Sequence, residues 1–448
     1  MSRRRLSWWC AAAALLICCT TLWPQRVLAA AWWPADSAGQ QEYEAALQKV
    51  LADPDDPVAM ATFANVATRV GNYESAVSTL ERVLMMRPEL SRVRLELGVL
   101  YYRMHALAVA QVQIQRALDS GKLSADEADR ARAFLLRIQW ARAGFHLFGS
   151  VSAGVRYQSN ANAGLTSPSL RDAGFDVPTP PNRRTKGDFN TFVQIQAVHS
   201  YDLPSPYADD WETTLFVYWP HQFEVRDADV GVAEATTGPR FRLFPGAIDN
   251  LTIRPYGIGG VSEIDYEFNN AVGGGGVELS KRFGPSFLGR LVYEARYRRF
   301  DNLHDDQSGL TNRVEATVAR WWTSDLVTAL AGSFADDDAN ESFRSNRQWA
   351  VWGTGTWRYR NPLGLSPWPW EAAALGRWTK LRYRAPDDRI DPFTRRDDDE
   401  LQFVLRNSIG VARDVALFAE FEYRDQRSNL SNDDFTNFVG AIGATWRF

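Results

Sequence analysis

The chain has 448 residues, of which 45% are hydrophobic, with 50 basic and 54 acidic side chains. A formal charge of −4 offers no basic surface for a polyanion, so nucleic acid is excluded as an expected partner. The three cysteines, Cys10, Cys18 and Cys19, all fall close to the N-terminus.

Those cysteines lie in what reads as an export leader. Arg3, Arg4 and Arg5 precede an apolar run from Trp8 to Trp23, and Ala29, Ala30 and Ala31 then provide a small-residue cleavage site. Residues 1–31 are expected to be a signal peptide, because the run is short for a membrane span. Its removal would leave no cysteine, which suits an oxidising compartment and excludes disulfides, thiolate metal sites and cysteine nucleophiles. Loss of Arg3, Arg4, Arg5 and Arg26 would leave 46 bases against 54 acids, net −8. No later stretch reaches roughly 18 consecutive apolar residues, so any membrane crossing has to be made by strands.

Residues 32–144 are expected to form an α-helical domain of about three tetratricopeptide repeats. Apolar positions follow helical spacing and recur every 34 residues: Pro54 with Pro88, Phe63 with Leu97, Ala64 with Gly98, Ala67 with Tyr101, Ala76 with Ala110, Leu80 with Ile114, Leu84 with Leu118. Small residues at the Ala64 and Ala76 positions let paired helices approach closely. Leu97, Gly98 and Tyr101 match the L-G-x-x-Y centre of that repeat, although Met60 and Arg94 stand where Trp is common.

From residue 145 to 448 the spacing changes to alternation over about ten residues, interrupted by Gly, Pro, Asn and Asp, which predicts an antiparallel transmembrane β-barrel of about fourteen strands. The fold class is thus α+β and multidomain. Strand five is expected over 251–268 and strand six over 275–283. Longer polar connections are expected at 160–187, 224–231, 269–274, 302–309, 337–346, 385–399 and 428–434, alternating with tight turns at the other end. An even strand count places the C-terminus on the side of the helical domain, which would lie in the periplasm below an outer-membrane barrel.

Strand seven decides orientation. Leu291, Tyr293, Ala295 and Tyr297 share one parity, Arg290, Glu294, Arg296 and Arg298 the other; a lipid-facing Arg near the midplane costs about 2–4 kcal/mol, so the charged parity should face the lumen. In the last strand Phe438, Ile442, Trp446 and Phe448 should face lipid, and Gly443, Trp446 and Phe448 fit the G-x-x-aromatic-x-aromatic ending resembling the signal read by the barrel assembly machinery. Trp219, Trp321, Trp322, Trp357, Trp368, Trp370 and Trp446 cluster near strand ends, as residues of a headgroup boundary do. Outer-membrane lipids and lipopolysaccharide are therefore expected neighbours. The acid runs 336–338 and 397–400 could bridge divalent cations to that lipopolysaccharide, or simply be solvated.

Arg92-Val-Arg-Leu-Glu-Leu-Gly-Val-Leu-Tyr101, then Ala110, Ala117 and Leu118, then Gly149-Ser-Val-Ser-Ala-Gly-Val-Arg-Tyr-Gln-Ser-Asn-Ala-Asn162 resemble the surface lipoprotein assembly modulator (Slam) family. Its members similarly join a short tetratricopeptide domain to a fourteen-stranded barrel. The most specific piece is Tyr157, Ser159, Asn160 and Asn162 at the end of the first strand, with Gln158 where the family often has Asp. The resemblance implies that the repeats dock a client, such as a lipoprotein, through a groove bearing Asn65, Arg94, Tyr101 and Tyr102. The client would pass through or along a barrel whose lumen carries Arg156, Arg290, Arg296 and Arg298 beside Glu294, Glu315, Glu420 and Glu422.

A porin or polysaccharide-export pore with a periplasmic adaptor is the alternative, although exporters usually carry longer helical arrays. Catalysis is not expected. His105, His146, His199, His221 and His304 are scattered, none in a metal spacing or beside a nucleophile, and no cofactor is implied.

Overall fold

The computed structural model describes residues 37–448 except 54, 105, 143, 206–208, 245–247, 249, 285, 365 and 366. The expected leader, Pro54 and His105 lie outside the described residues. The chain divides into two compact units, a helical one ending at His146 and a β unit spanning Leu147–Phe448.

The helical unit contains α1 (Ser37–Ala52), α2 (Pro57–Arg69), α3 (Tyr73–Met86), α4 (Ser91–Arg103), α5 (Leu107–Asp119) and α6 (Ala125–Arg142). The starts of α2, α4 and α6 are each 34 residues apart, as are those of α3 and α5. Two full helix pairs, α2/α3 and α4/α5, are therefore flanked by α1 and α6, so the three expected repeats are two complete pairs plus two single helices.

Local chemistry sets these boundaries. Asp56 caps α2 by accepting from Val58 N at 2.8 Å, with Pro57 in the first turn, where its missing N–H costs nothing. Asn72 caps α3. Ser124 and Glu127 form a reciprocal capping box at α6, with bonds of 3.3 and 3.0 Å.

The apolar faces close into two cores. Phe63, Ala67, Ala76, Leu80 and Leu97 fill one, while Leu95, Ala110, Ile114, Ala131 and Ile138 fill the other. Gly98 is required between α4 and α5, because a Cβ there would stand 2.5 Å from Ile114 Cγ1. Among the described residues no helix is long and apolar enough to cross a membrane.

The β unit is a closed antiparallel barrel. Its described strands are β1 (Phe145–Gln158), β4 (Asp188–Asp202), β5 (Asp210–Gln222), β6 (Val230–Arg242), β7 (Leu251–Ile264), β8 (Glu267–Phe283), β9 (Phe287–Phe300), β10 (Gly309–Trp321), β11 (Leu326–Ala339), β12 (Asn346–Tyr359), β13 (Trp370–Tyr383), β14 (Asp397–Gly410), β15 (Val415–Ser428) and β16 (Phe435–Arg447). A separate hairpin, β2 (Ser169–Asp172) with β3 (Phe175–Pro178), lies in the first long loop. Each strand pairs with its sequence neighbour, and β1 closes on β16 in the register Ser150↔Arg447 to Gln158↔Val439. Barrel strands run 13 to 17 residues, whereas about 9–11 suffice to cross hydrocarbon, so their ends project beyond it.

Alternation divides the two faces. On β9, Leu291, Tyr293 and Tyr297 are exposed, while Arg290, Glu294 and Arg296 turn inward. Leu330, Leu405 and Ile442 are 63, 58 and 66% exposed on the outer face, whereas Ala331, Val439 and Ala441 of the opposite parity are buried. An apolar belt this continuous around an edgeless cylinder is a lipid-facing surface.

Three expectations are corrected. The 269–274 segment is not a loop: β7 turns directly into β8 at Asp265 and Tyr266, both at positive φ (49° and 61°), and Gly273–Gly276 continue as strand. The 160–187 loop contains the β2–β3 hairpin, turned by Ala173 and Gly174 at φ 48° and 87°. Trp321 lies on the inward parity with Arg282 at 5.4 Å over its ring, rather than at the lipid boundary.

Candidate functional site

The barrel interior is lined by ion pairs within strands and between neighbouring strands, and several reach beyond immediate neighbours. On one wall Arg240 binds Glu212 at 2.8 Å, and Arg254 lies 3.5 Å from the same carboxylate. Tyr256 donates to Glu294 at 2.8 Å. Arg296 reaches Glu294 at 3.0 Å and, across two intervening strands, Glu234 at 2.8 Å. Arg290 sits between Glu278 at 3.0 Å and Glu315 at 3.3 Å, and Arg313 completes Glu315 at 2.5 Å. Arg298 pairs with Asp337.

The opposing wall uses the same chemistry with aromatic support. Arg156 donates to the Tyr218 hydroxyl at 2.6 Å, stacks 4.6 Å over Phe192 and approaches Glu420 at 3.9 Å. Arg406 binds Glu420 at 3.4 Å and lies 3.8 Å over Phe418. Gln402 donates to Glu422 at 2.6 Å. Glu371 receives both Arg358 and Arg447 at 3.2 Å. The alternation of sign satisfies buried charge locally, since an isolated charge in this setting is strongly disfavoured.

At the loop end of the barrel, polar contacts tie several loops to one another. Arg171 of β2 donates from Nε to Asp391 at 2.9 Å and from Nη1 to Asp176 at 3.0 Å. Arg171 N donates to Asn432 Oδ1 at 2.6 Å, and Asn432 Nδ2 returns to Arg171 O at 2.8 Å. Ala173 N and Gly174 N donate to Arg389 O and Ile390 O. The hairpin thereby joins the β1–β4 loop to the β13–β14 and β15–β16 loops.

Further bonds extend this collar. Arg344 binds Asp306 at 2.9 Å, and Arg389 stacks 4.8 Å over Phe343. Arg396 holds Asp398 at 2.6 Å and Asp433 at 2.7 Å. Burial pushes the Asp433 carboxyl up to about 6, although Arg396 opposes the shift. Arg389 hydrogen bonds keep Asp387 below the ordinary carboxylate range despite its burial.

The sequence-predicted residues fall into distinct settings. Asn160 is 3% exposed and fully engaged: its side chain donates to Gly164 O at 2.8 Å and accepts from Gly164 N at 2.7 Å. Asn162 donates to Arg184 O and accepts from Lys186 N, both at 2.8 Å. Ser159 accepts from Phe438 N at 2.8 Å, and the Tyr157 ring lies 4.9 Å from Phe189. This motif therefore shapes the first loop at the loop end of β1.

Gly443 pairs with Gly154 across the β1–β16 closure, the Trp446 and Phe448 rings stand 5.1 Å apart, and Phe448 exchanges backbone bonds with Gly149. In the helical unit Asn65 is exposed and Tyr102 packs edge-on to Phe134. Arg94 is tied to Gln113 at 3.2 Å and Pro88 O at 2.9 Å. The Tyr101 hydroxyl donates a hydrogen bond to the Glu81 carboxylate, which pushes that phenol up to about 12, so it is neutral and anchored.

The acid runs are neutralised from within. Asp336 binds Arg347 and Arg384, Asp338 binds Arg384, Asp398 binds Arg396, Asp399 binds Lys380 and Glu400 binds Arg424. Arginines of this chain and Lys380 thus pair with the carboxylates that could have bridged cations or been solvated. Sequence spacing missed these partners because most lie tens of residues away; the collar arginines Arg171, Arg344 and Arg396 carried no local signal.

No known protein family matches the chain, and neither does any curated protein. Among solved structures it is similar to the type III secretion translocator chaperone SycD of Yersinia enterocolitica at 13% identity, covering 24% of this chain and 75% of that one, with a TM-score of 0.23. It is also similar to a loop L8 deletion mutant of OmpT, an outer-membrane protein of Vibrio cholerae, at 9% identity, covering 68% and 99%, TM-score 0.35. A bacterial polysaccharide outer-membrane secretin is similar at 8% identity, covering 66% and 98%, TM-score 0.34.

Proposed function

We propose that this chain is an outer-membrane protein that assists the surface delivery of a client, with a lipid-anchored polypeptide as the client class. The helical pairs dock the client in the periplasm, after removal of the leader, and the barrel conducts it through or along its wall. Outer-membrane lipids and lipopolysaccharide surround the belt, and the barrel assembly machinery inserts it through the closing strand that ends at Phe448.

The observation that carries this reading is the tied collar. A barrel serving as a constantly open pore has no use for a hairpin fixed by Arg171 to two other loops. Dense ion pairing along the lumen points the same way. A barrel with tied loops, joined in one chain to a helical array of the repeat type that holds peptides, fits a device that opens for a docked client. Helix pairs repeating every 34 residues are of the kind that stack into concave surfaces holding extended segments.

The test is co-expression with a lipid-anchored protein encoded beside it. Surface labelling of that client in intact cells is expected to depend on this chain. Equal labelling with and without it, across plausible clients, contradicts the proposal.

A further inference from the structure

The outward face of the barrel is not uniformly convex. From Leu326 at the start of β11 to Phe421 in β15 it carries a groove of ≈ 680 Å³ near the end where the barrel strands begin and close. Its floor is made of small side chains, Gly355, Ala372, Ala374 and Ala419. Trp357 and Tyr359, stacked at 4.9 Å, form one wall, and Leu405 and Phe421 the other. Trp357, Leu405 and Phe421 are about half exposed in the bare barrel.

One polar feature breaks the apolar lining. The Tyr359 hydroxyl donates to Asn407 Oδ1 at 2.7 Å. Asn407 lies on the outward parity, paired with Ala372 on one side and Ala419 on the other. Its Nδ2 hydrogens have no acceptor among the described residues, and a donor in hydrocarbon demands one. Asn407 stands only three residues before the end of β14, beside the aromatic cluster of Trp357, Tyr359 and Trp370. That is the level of a leaflet's headgroup boundary, where ester carbonyls lie.

Charge narrows the occupant. The arginine bordering it, Arg406, turns inward to Glu420, so no cation is offered to a phosphorylated sugar headgroup. We infer that the groove binds one acyl chain of a glycerophospholipid, with Asn407 donating to its ester carbonyl.

The full chain in nanodiscs containing phosphatidylethanolamine with a diazirine-bearing acyl chain provides the test. Photo-crosslinks mapped by peptide mass spectrometry should concentrate on the β12–β15 groove above a reference patch at Leu291 and Val314. Ala374→Trp fills the floor and should lower groove labelling to the reference level while heat-modifiable migration is retained. Should that variant fail to fold, Ala419→Phe fills the same groove from β15. Asn407→Leu, or an ether-linked lipid, should each reduce the excess. Labelling spread evenly around the belt, or unaffected by filling the groove, overturns the inference. Displacement of the phospholipid by an equimolar triacylated lipopeptide also overturns it, reassigning the groove to a lipid-anchored polypeptide.

Discussion

Arg171 and Asp391, 220 residues apart in sequence, meet at 2.9 Å and tie the first loop of the barrel to the loop between β13 and β14. Arg171→Ala removes this tie and the bond to Asp176 while leaving every barrel strand intact. The variant is expected to show larger or more frequent openings than the parent in planar-bilayer recordings. Unchanged conductance would mean that the collar does not limit the opening.

The same collar should respond to pH through Asp433. Its folded pKa of about 6 lies above an unfolded carboxylate value near 4, so between those values the folded state holds the extra proton. This group's contribution therefore favours the closed loops as pH falls through 6 towards 4, and opposes them above 6. Arg396, Asp398, Arg344 and Asp434 set its surroundings. Protease protection of the 429–434 loop should be greater at pH 5 than at pH 7.5, and Asp433→Asn should flatten that difference.

Orientation of the belt predicts an asymmetry on one strand. Val314 of β10 faces outward near mid-belt, and Val314→Arg should destabilise the barrel by about 2–4 kcal/mol. Urea titration of folding into lipid vesicles measures this. A cost below about 1 kcal/mol, the level expected near the interfaces, would place Val314 away from the hydrocarbon.

Within the lumen, Glu212 serves two arginines at once, and Arg254 beside it is 4% exposed. Glu212→Gln removes the carboxylate 3.5 Å from Arg254 and leaves it only its weaker cross-strand attraction to Glu278. A loss of about 3–5 kcal/mol is expected in the same titration, because breaking a buried pair strands its remaining charge. Replacing both Glu212 and Arg254 with polar, uncharged residues should recover part of that loss.

The two periodicities were legible from residue type alone. On β9 the segregation of Arg290, Glu294 and Arg296 from Leu291 and Tyr293 is visible without coordinates, because charge near lipid is costly. The 34-residue repeat is likewise visible in Ala64/Gly98 and Ala76/Ala110. The β7–β8 turn was not: Gly273–Gly276 resemble a loop. At Gly276, however, the absent side chain makes room for Tyr256, whose ring would lie 2.7 Å from a Cβ. The turn itself uses Tyr266 at positive φ, which residue preference does not suggest. The β2–β3 hairpin and its ties were invisible because four-residue strands give too little alternation, and the partners of Arg171 are separated from it by up to 261 positions.

Reconstitution tests the central claim most directly. The purified chain is inserted into liposomes in a single orientation, and a triacylated client is supplied on the side of the helical unit. Protease protection then follows transfer to the opposite face. The account predicts client fragments digested from the opposite face only in vesicles holding the full chain, with less transfer when the exposed Asn65, proposed to dock the client, is substituted. Transfer that is equal in empty vesicles, or no transfer to any client alongside a stable, large conductance, would contradict it.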